Sequence, residues 1–255
     1  MKPVVLIFFL CFANTNLLSQ GEIDSTKKIF YRNEQTIGFL LNSNGLGGSL
    51  RFAKHPGGFS KYLIDLDFNW IQHSKEIKTN SLYYDQKSYI YGKLNSFYSL
   101  RIGVGKQKEM FSKFDKGGIA IRYFFVAGPV LGIVKPKYYE VSYDNLYTYV
   151  IEDFETYYYN VNNNHANGYI VGNASFLEGI DKTKFEAGVF FKFGFSFEYS
   201  NKDNMLNAIE AGTTIEAFPK KIPIMKSEES YWLFPAFFLS YRFGKIYDPY
   251  VVKTK

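Results

Sequence analysis

Hydrophobic and polar residues alternate with a period of two along most of this chain. Eight stretches carry the pattern, at about 34–42, 46–54, 59–73, 89–105, 117–134, 184–199, 204–218 and 231–243. Successive side chains of a strand point to opposite faces, so each stretch predicts a strand with one apolar face. The third sets Tyr62, Ile64, Leu66, Phe68 and Trp70 against Asp65, Asp67 and Asn69. The sixth sets Phe185, Val189, Phe191, Phe193, Phe195, Phe197 and Tyr199 against Glu186, Lys192, Ser196 and Glu198, with Phe190 among the latter. The second, fourth, fifth and eighth repeat the arrangement, with Arg51, Lys93, Arg101, Arg122 and Arg242 on their polar sides. The first and seventh are weaker; the seventh carries Glu210 and Glu216 on its polar side. Turn residues separate several strands, as in Asn42-Ser43-Asn44-Gly45 and His55-Pro56-Gly57-Gly58. No long 3.6-residue period appears; a short helix over 175–180, inside a loop, is the one helical element expected.

By this parity the apolar faces carry no formal charge and the opposite faces carry all of it. A soluble sandwich also alternates, with its apolar face inward. Here the apolar face is nearly continuous and aromatic, while the opposite face is rich in Gly, Ser and charges of both signs. Small residues interleaved with charges suit a narrow interior. The expectation is an all-β fold, an eight-stranded antiparallel transmembrane β-barrel with lipid outside and polar residues inside. In hydrocarbon every backbone amide needs an internal partner, so an extended chain must close on itself.

Composition agrees. Of 255 residues, 26 are Phe, 22 Tyr and 2 Trp, far above ordinary usage and suited to pleated, half-buried surfaces. Charged residues are 21% and hydrophobic ones 46%, which excludes a disordered chain. One Cys excludes a disulfide framework and a cysteine-based zinc site. Lys2 followed by an apolar run over 4–12 and then Asn14, Thr15 and Asn16 has the anatomy of a secretory signal peptide. Cleavage after Ala13 or after Ser19 is compatible with it. The second option gives residues 1–19 as signal and 20–255 as the barrel domain.

An even strand number returns both termini to one side, here the periplasm of a Gram-negative envelope. The connections at 43–45, 74–88, about 135–183 and 219–230 then face outward, and 135–183 is a long extracellular loop. The turns at 54–58, 106–116 and 200–203 face inward, and a C-terminal tail covers 244–255. The lumen-side charges are Asp65, Asp67, Glu186, Glu198, Glu210 and Glu216 against Arg51, Lys93, Arg101, Arg122, Lys192 and Arg242. An eight-stranded barrel is only wide enough for side chains to fill, and buried charges persist when paired. The expected interior is a salt-bridged network without a continuous water path.

The long loop holds nine Tyr and no Lys or Arg between Tyr138 and Asp181. Tyr143, Tyr147, Tyr149, Tyr157, Tyr158 and Tyr159 form a candidate recognition surface, because Tyr offers large contact area at modest entropy cost. The alternative is a loop that folds on itself and caps the barrel. Its acids show no EF-hand spacing, and neither a metal nor a cofactor is expected. The net charge of +6 does not point to nucleic acid. Lys106, Lys108, Lys113 and Lys116 fall in one inward turn, Lys245, Lys253 and Lys255 in the tail, and no P-loop occurs. For hydrolytic chemistry the candidate group is His73 and Ser74 with Glu76 nearby, yet consecutive residues on a strand diverge, whereas a base and its nucleophile must converge.

The mature chain resembles a group of Bacteroidota outer-membrane β-barrels and, in architecture, small barrels of the OmpX and OmpA type. The likeness lies in Tyr91-Gly92-Lys93-Leu94-Asn95, in 193–199 (FGFSFEY), and in Glu216-Ala217-Phe218-Pro219 followed by Ile222-Pro223-Ile224-Met225. The aromatic alternation ending at Tyr241 and Phe243 resembles a C-terminal assembly signal. The resemblance implies outer-membrane lipid as surroundings, the barrel assembly machinery during insertion and an envelope protein as partner. It implies no catalytic residues. The expected function is a non-enzymatic structural or interaction module. The alternatives are a lipid A-modifying hydrolase or acyltransferase and a small channel.

Overall fold

The computed structural model describes residues 33–57, 60–81, 87–113, 117–143, 149–163, 167–200, 204–226 and 229–247. The expected signal peptide, Tyr147, Lys116 and the tail from 248 onward lie outside them.

Eight strands close into an antiparallel barrel. They are β1 (Asn33–Asn42), β2 (Gly45–Gly57), β3 (Ser60–Ile71), β6 (Asn95–Phe111), β7 (Ala120–Pro136), β11 (Lys184–Glu198), β12 (Met205–Ile222) and β13 (Tyr231–Tyr247). Each pairs with its sequence neighbour in the barrel, and β1 closes the ring on β13, with Phe39 opposite Tyr241. Between them lie a hairpin of β4 (Lys78–Asn80) and β5 (Ser88–Ile90), and a small unit of β8 (Tyr138–Tyr143), β9 (Val150–Asp153), β10 (Gly168–Asn173) and the helix α1 (Phe154–Asn163). The last three strands form a separate sheet in the order β10-β8-β9.

The two ends of the barrel are unequal. Asn33 and Tyr247 share one end with the connections β2–β3, β6–β7 and β11–β12; this is called the terminal end below. The other end carries the hairpin, the β8–β10 unit and the β12–β13 connection. Gly45 shows how tightly the short β1–β2 turn is built: a Cβ there would lie 1.9 Å from the Trp70 carbonyl oxygen.

The strand boundaries differ from expectation in several places, among them β2, which runs on to Gly57, and β12, which runs on to Ile222. Residues 88–90 pair with 78–80 instead of entering the barrel, so the fourth barrel strand starts at Asn95 and continues to Phe111. Lys106 and Lys108 therefore stand on the strand rather than in a turn, while Lys113 follows it. The last strand runs to Tyr247, into the expected tail. The expected helix over 175–180 is a series of turns, and the helix forms at 154–163 instead. There Asp153 accepts the Thr156 amide at 2.9 Å as an N-cap, and Phe154, Tyr157 and Val161 give the apolar stripe.

The alternation sets the polarity. Outward positions such as Phe39, Ile64, Phe191 and Leu239 are exposed, whereas Arg51, Asp65, Asp67, Lys192, Glu210 and Arg242 are buried inside. Lys54 breaks the expected parity rule: it stands on the outward face near the end of β2, in line with Leu50 and Phe52. Outward Tyr and Trp side chains fall in two rows, with Phe spread over the face between them. Tyr62, Tyr123, Tyr199 and Tyr241 lie toward the terminal end; Trp70, Tyr98 and Tyr231 lie toward the other. Eight residues separate Tyr62 from Trp70 on β3, about 20 Å along the axis of a barrel whose strands tilt by about 40°.

Candidate functional site

The lumen is filled in layers. At mid-barrel four acids meet four bases. Arg51 donates from Nε and Nη2 to the two oxygens of Asp65, at 2.7 and 2.8 Å, and from Nη1 to Glu210 at 2.6 Å. Arg242 faces Glu210 at 3.2 Å and donates to Thr36 and Ser49. Lys192 donates to Asp67 at 2.9 Å, and Arg101 donates from Nε to Glu216 at 2.8 Å. Removing charge from water is offset only when geometry is good and further hydrogen bonds are made. The fork of Arg51 across Asp65 and Glu210 meets both conditions.

Aromatic rings seal this layer. The Arg51 guanidinium lies 4.5 Å from the Phe124 centroid, and the Lys192 ammonium 5.1 Å from that of Phe238. Toward the long-connection end Phe97, Phe218 and Phe234 pack on one another with centroids 5.1–5.9 Å apart. Interior glycines make room for them: a Cβ at Gly132 would come within 2.9 Å of both Phe97 and Phe218. These rings stand at inward parity, as Phe190 does; the expected interior counted charges alone.

A strap closes that end. Ile222, Ile224 and Met225 pack onto the ring cluster. Their backbone is tied to the segment before β6, with Leu94 N–H donating to Ile224 O at 2.8 Å and Lys226 N–H to Gly92 O at 2.9 Å. Two segments quoted above for the family resemblance, 91–95 and 222–225, thus bind each other. At the terminal end a second ionic layer joins Arg122 to Glu198 and to Glu109 (3.3 Å), Lys113 to Glu198 (3.1 Å), and Lys61 to Glu34.

Of the twelve charges expected in the lumen, eight form the mid-barrel group and Arg122 with Glu198 belong to the terminal layer. Two stand elsewhere. Lys93 precedes β6 and is paired with Glu76 at 2.6 Å under the outer unit. Glu186 lies at the mouth, 3.5 Å from an exposed Lys220. Glu34, Lys61 and Glu109 are not singled out by the sequence, although Glu34 and Lys61 follow the same parity, and Lys113, expected in an inward turn, reaches into this layer.

The β8–β10 unit has the opposite polarity. Tyr139, Val141, Phe154, Tyr157 and Ile170 form its core. The Tyr139 hydroxyl lies 2.8 Å from the carbonyl oxygens of Ile90 and Lys93, anchoring the unit to the barrel mouth. Burial, and then the Glu76 carboxylate, hold this phenol well above its usual range. Burial and the adjacent Glu152 push Tyr143 up to about 12, although its bond from Asn160 opposes them. Among the six candidate tyrosines, Tyr157 is buried and Tyr143 is half-buried against Glu152, to which its hydroxyl donates at 2.8 Å. Tyr149, Tyr158 and Tyr159 are exposed.

The His73 group is built as a turn. The Lys75 amide donates to His73 Nδ1 at 3.2 Å, and the imidazole stacks on Tyr231. Glu76 accepts the His73 amide on one oxygen and Lys93 on the other. That carboxylate therefore does not orient the imidazole as a base. Among the described residues no group of His, Cys, Asp and Glu could hold a metal ion, and no helix is long and apolar enough to cross a membrane.

No family model matches the chain, and no curated protein matches it. Among solved structures it is similar to Ail, the attachment invasion locus protein of Yersinia pestis, at 7% identity over 86% of this chain and 99% of that one, with a TM-score of 0.43. It is also similar to the N-terminal β-barrel domain of Pseudomonas aeruginosa OprF, at 8% identity over 86% and 98%, with a TM-score of 0.37. A third is Neisserial surface protein A, at 9% identity over 85% and 96%, with a TM-score of 0.37. The barrel assignment rests on the closed register of this chain, not on these likenesses.

Proposed function

We propose that the chain is an integral outer-membrane protein with its termini in the periplasm. It acts without catalysis, as a structural and interaction module. The observation that carries this is the inversion of polarity: an uncharged aromatic exterior between two rows of rings encloses a charge-balanced interior. Such a surface is stable against acyl chains and unstable in water. The layers of ion pairs and rings, with the strap above them, support a lumen that conducts nothing. The β8–β10 unit then stands outside the cell and offers Tyr149, Tyr158 and Tyr159 to an envelope or surface partner.

Planar bilayers containing the refolded protein should stay electrically silent, and stepwise conductance would refute the closed lumen. A photo-crosslinker at Tyr159 should give a discrete adduct on intact cells; a ladder no different from one placed at exposed Lys78 would remove the tyrosine surface from the account.

A further inference from the structure

Four lysines stand on the outward face of the barrel at its terminal end. Lys54 ends the apolar row of β2, Lys106 and Lys108 continue that of β6, and Lys245 that of β13; all four side chains are exposed. Register makes them an arc. Lys54 faces Tyr62, which faces Lys106, and the Lys106 ammonium lies 6.0 Å from the Tyr62 centroid. Lys245 faces Gln35 on β1, the strand between β13 and β2. None of the four has an acidic partner among the described residues.

An apolar groove of about 580 Å³ opens over β1 between β2 and β13, with Lys245 in its lining and Lys54 next outward along β2 from the lining residue Phe52. Its floor is β1, with Gln35 and Ile37, and its walls include Leu50 and Phe52 on one side and Tyr241 and Phe243 on the other. Phe52 is the outward neighbour of Lys54, and Phe243 that of Lys245. The groove therefore runs from the basic arc up the apolar face. Cations are costly at mid-bilayer depth and cost almost nothing at the interface, so the arc marks the headgroup level.

We propose that this is a binding site for one anionic glycerophospholipid of the periplasmic leaflet. Its phosphate is held between Lys54 and Lys245, with Lys106 and Lys108 extending the basic rim, and one acyl chain lies in the groove over β1. The inference rests on the membrane-spanning reading above. Charge and shape select the occupant together: unpartnered ammonium groups take the phosphate, and an apolar channel leading away from them takes the chain.

Native mass spectrometry of the refolded full chain in non-ionic detergent tests it. Phosphatidylglycerol and phosphatidylcholine with identical chains are the probes. Wild type should retain one phosphatidylglycerol in preference to phosphatidylcholine. K54Q/K245Q should lower phosphatidylglycerol retention about tenfold and leave phosphatidylcholine unchanged. I37W, which fills the groove without adding charge, should lower retention of both. K78Q/K184Q, which removes two exposed lysines at the opposite end, should match wild type. Equal loss in the two double variants, or no loss in K54Q/K245Q, would overturn the site. Heat-modifiable gel mobility and insertion into vesicles, scored on the same samples, report the barrel separately. A folded, inserted barrel with unselective lipid retention defeats the lipid site alone, and a chain that never inserts defeats both.

Discussion

Strand β7 and strand β8 follow one another almost without a break, yet they obey opposite rules. In β7 the odd positions Phe125, Leu131 and Ile133 point outward. In β8 the odd positions Tyr139 and Val141 form a core, and only Lys137 lies between the two strands. Backbone and alternation are the same on both sides of that boundary, and the membrane-spanning reading proposed above accounts for the difference by the medium. On that reading the barrel meets hydrocarbon and turns its rings out. The small sheet with α1 meets water and turns its rings in. The contrast shows that burial alone does not define the core of this protein; the surroundings of each half do.

The largest effect should come from unpairing the barrel interior. Arg51→Met leaves Asp65 and Glu210 short of their shared partner and should cost about 3–5 kcal/mol, read as a lower urea midpoint for refolding into vesicles. Replacing Arg101 and Glu216 together by Met and Leu should cost far less than Arg101→Met alone, because no charge is left stranded. A double variant as damaged as the single one would count against charge pairing as the reason these groups tolerate the lumen.

Phe154→Ala sharpens the comparison from the other side. It should destabilise the outer unit by about 3–5 kcal/mol while leaving the barrel folded. Limited proteolysis should then cut within 138–173, with unchanged gel mobility of the remaining barrel. If the barrel also unfolds at lower urea, the two halves are one cooperative unit. Next in size, Leu239→Arg places a charge on the outward face of β13 and should cost about 2–4 kcal/mol in a bilayer. The same residue at Tyr149, exposed on the outer unit, should cost almost nothing.

Asp153→Ala removes the cap of α1 and should cost about 1 kcal/mol, confined to the outer unit. The smallest effect concerns pH. The folded Tyr139 phenol is raised above its unfolded value of about 10. Its contribution is therefore intact below that value and is lost as pH climbs through the folded one. Alkaline titration followed by ultraviolet absorption should show several late-ionising tyrosines, Tyr143 among them, and Tyr139→Phe should remove the last step.

Strict period-two alternation made the eight strands and most of the ionic lumen legible before any coordinates. Charge is scarce in this chain and parity is unforgiving, so Asp65, Asp67, Lys192 and Arg242 could only point one way. Phe97, Phe124, Phe218, Phe234 and Phe238 share that inward parity with Phe190, but a reading that follows charge alone leaves them out of the lumen. Lys93 was misassigned because 88–90 has strand pattern but pairs with 78–80. The helix α1 was missed because its Phe and Tyr favour strands by propensity; only their spacing, at 154, 157 and 161, betrays it. The strap leaves no local trace at all, since 222–226 finds its partner more than a hundred residues earlier, at 92–95. Of the tyrosine cluster, sequence supplied the composition, but only packing separates the core ring of Tyr157 from the surface rings of Tyr158 and Tyr159.

Single tryptophans placed on the two halves, in a W70F/W232F background refolded into vesicles, test the inversion most directly. Leu239→Trp should be quenched by brominated acyl chains and shielded from aqueous iodide, and Tyr149→Trp should behave the opposite way. Iodide quenching of the probe at 239, with no response to brominated lipid, would show that the barrel exterior faces water and would contradict the account.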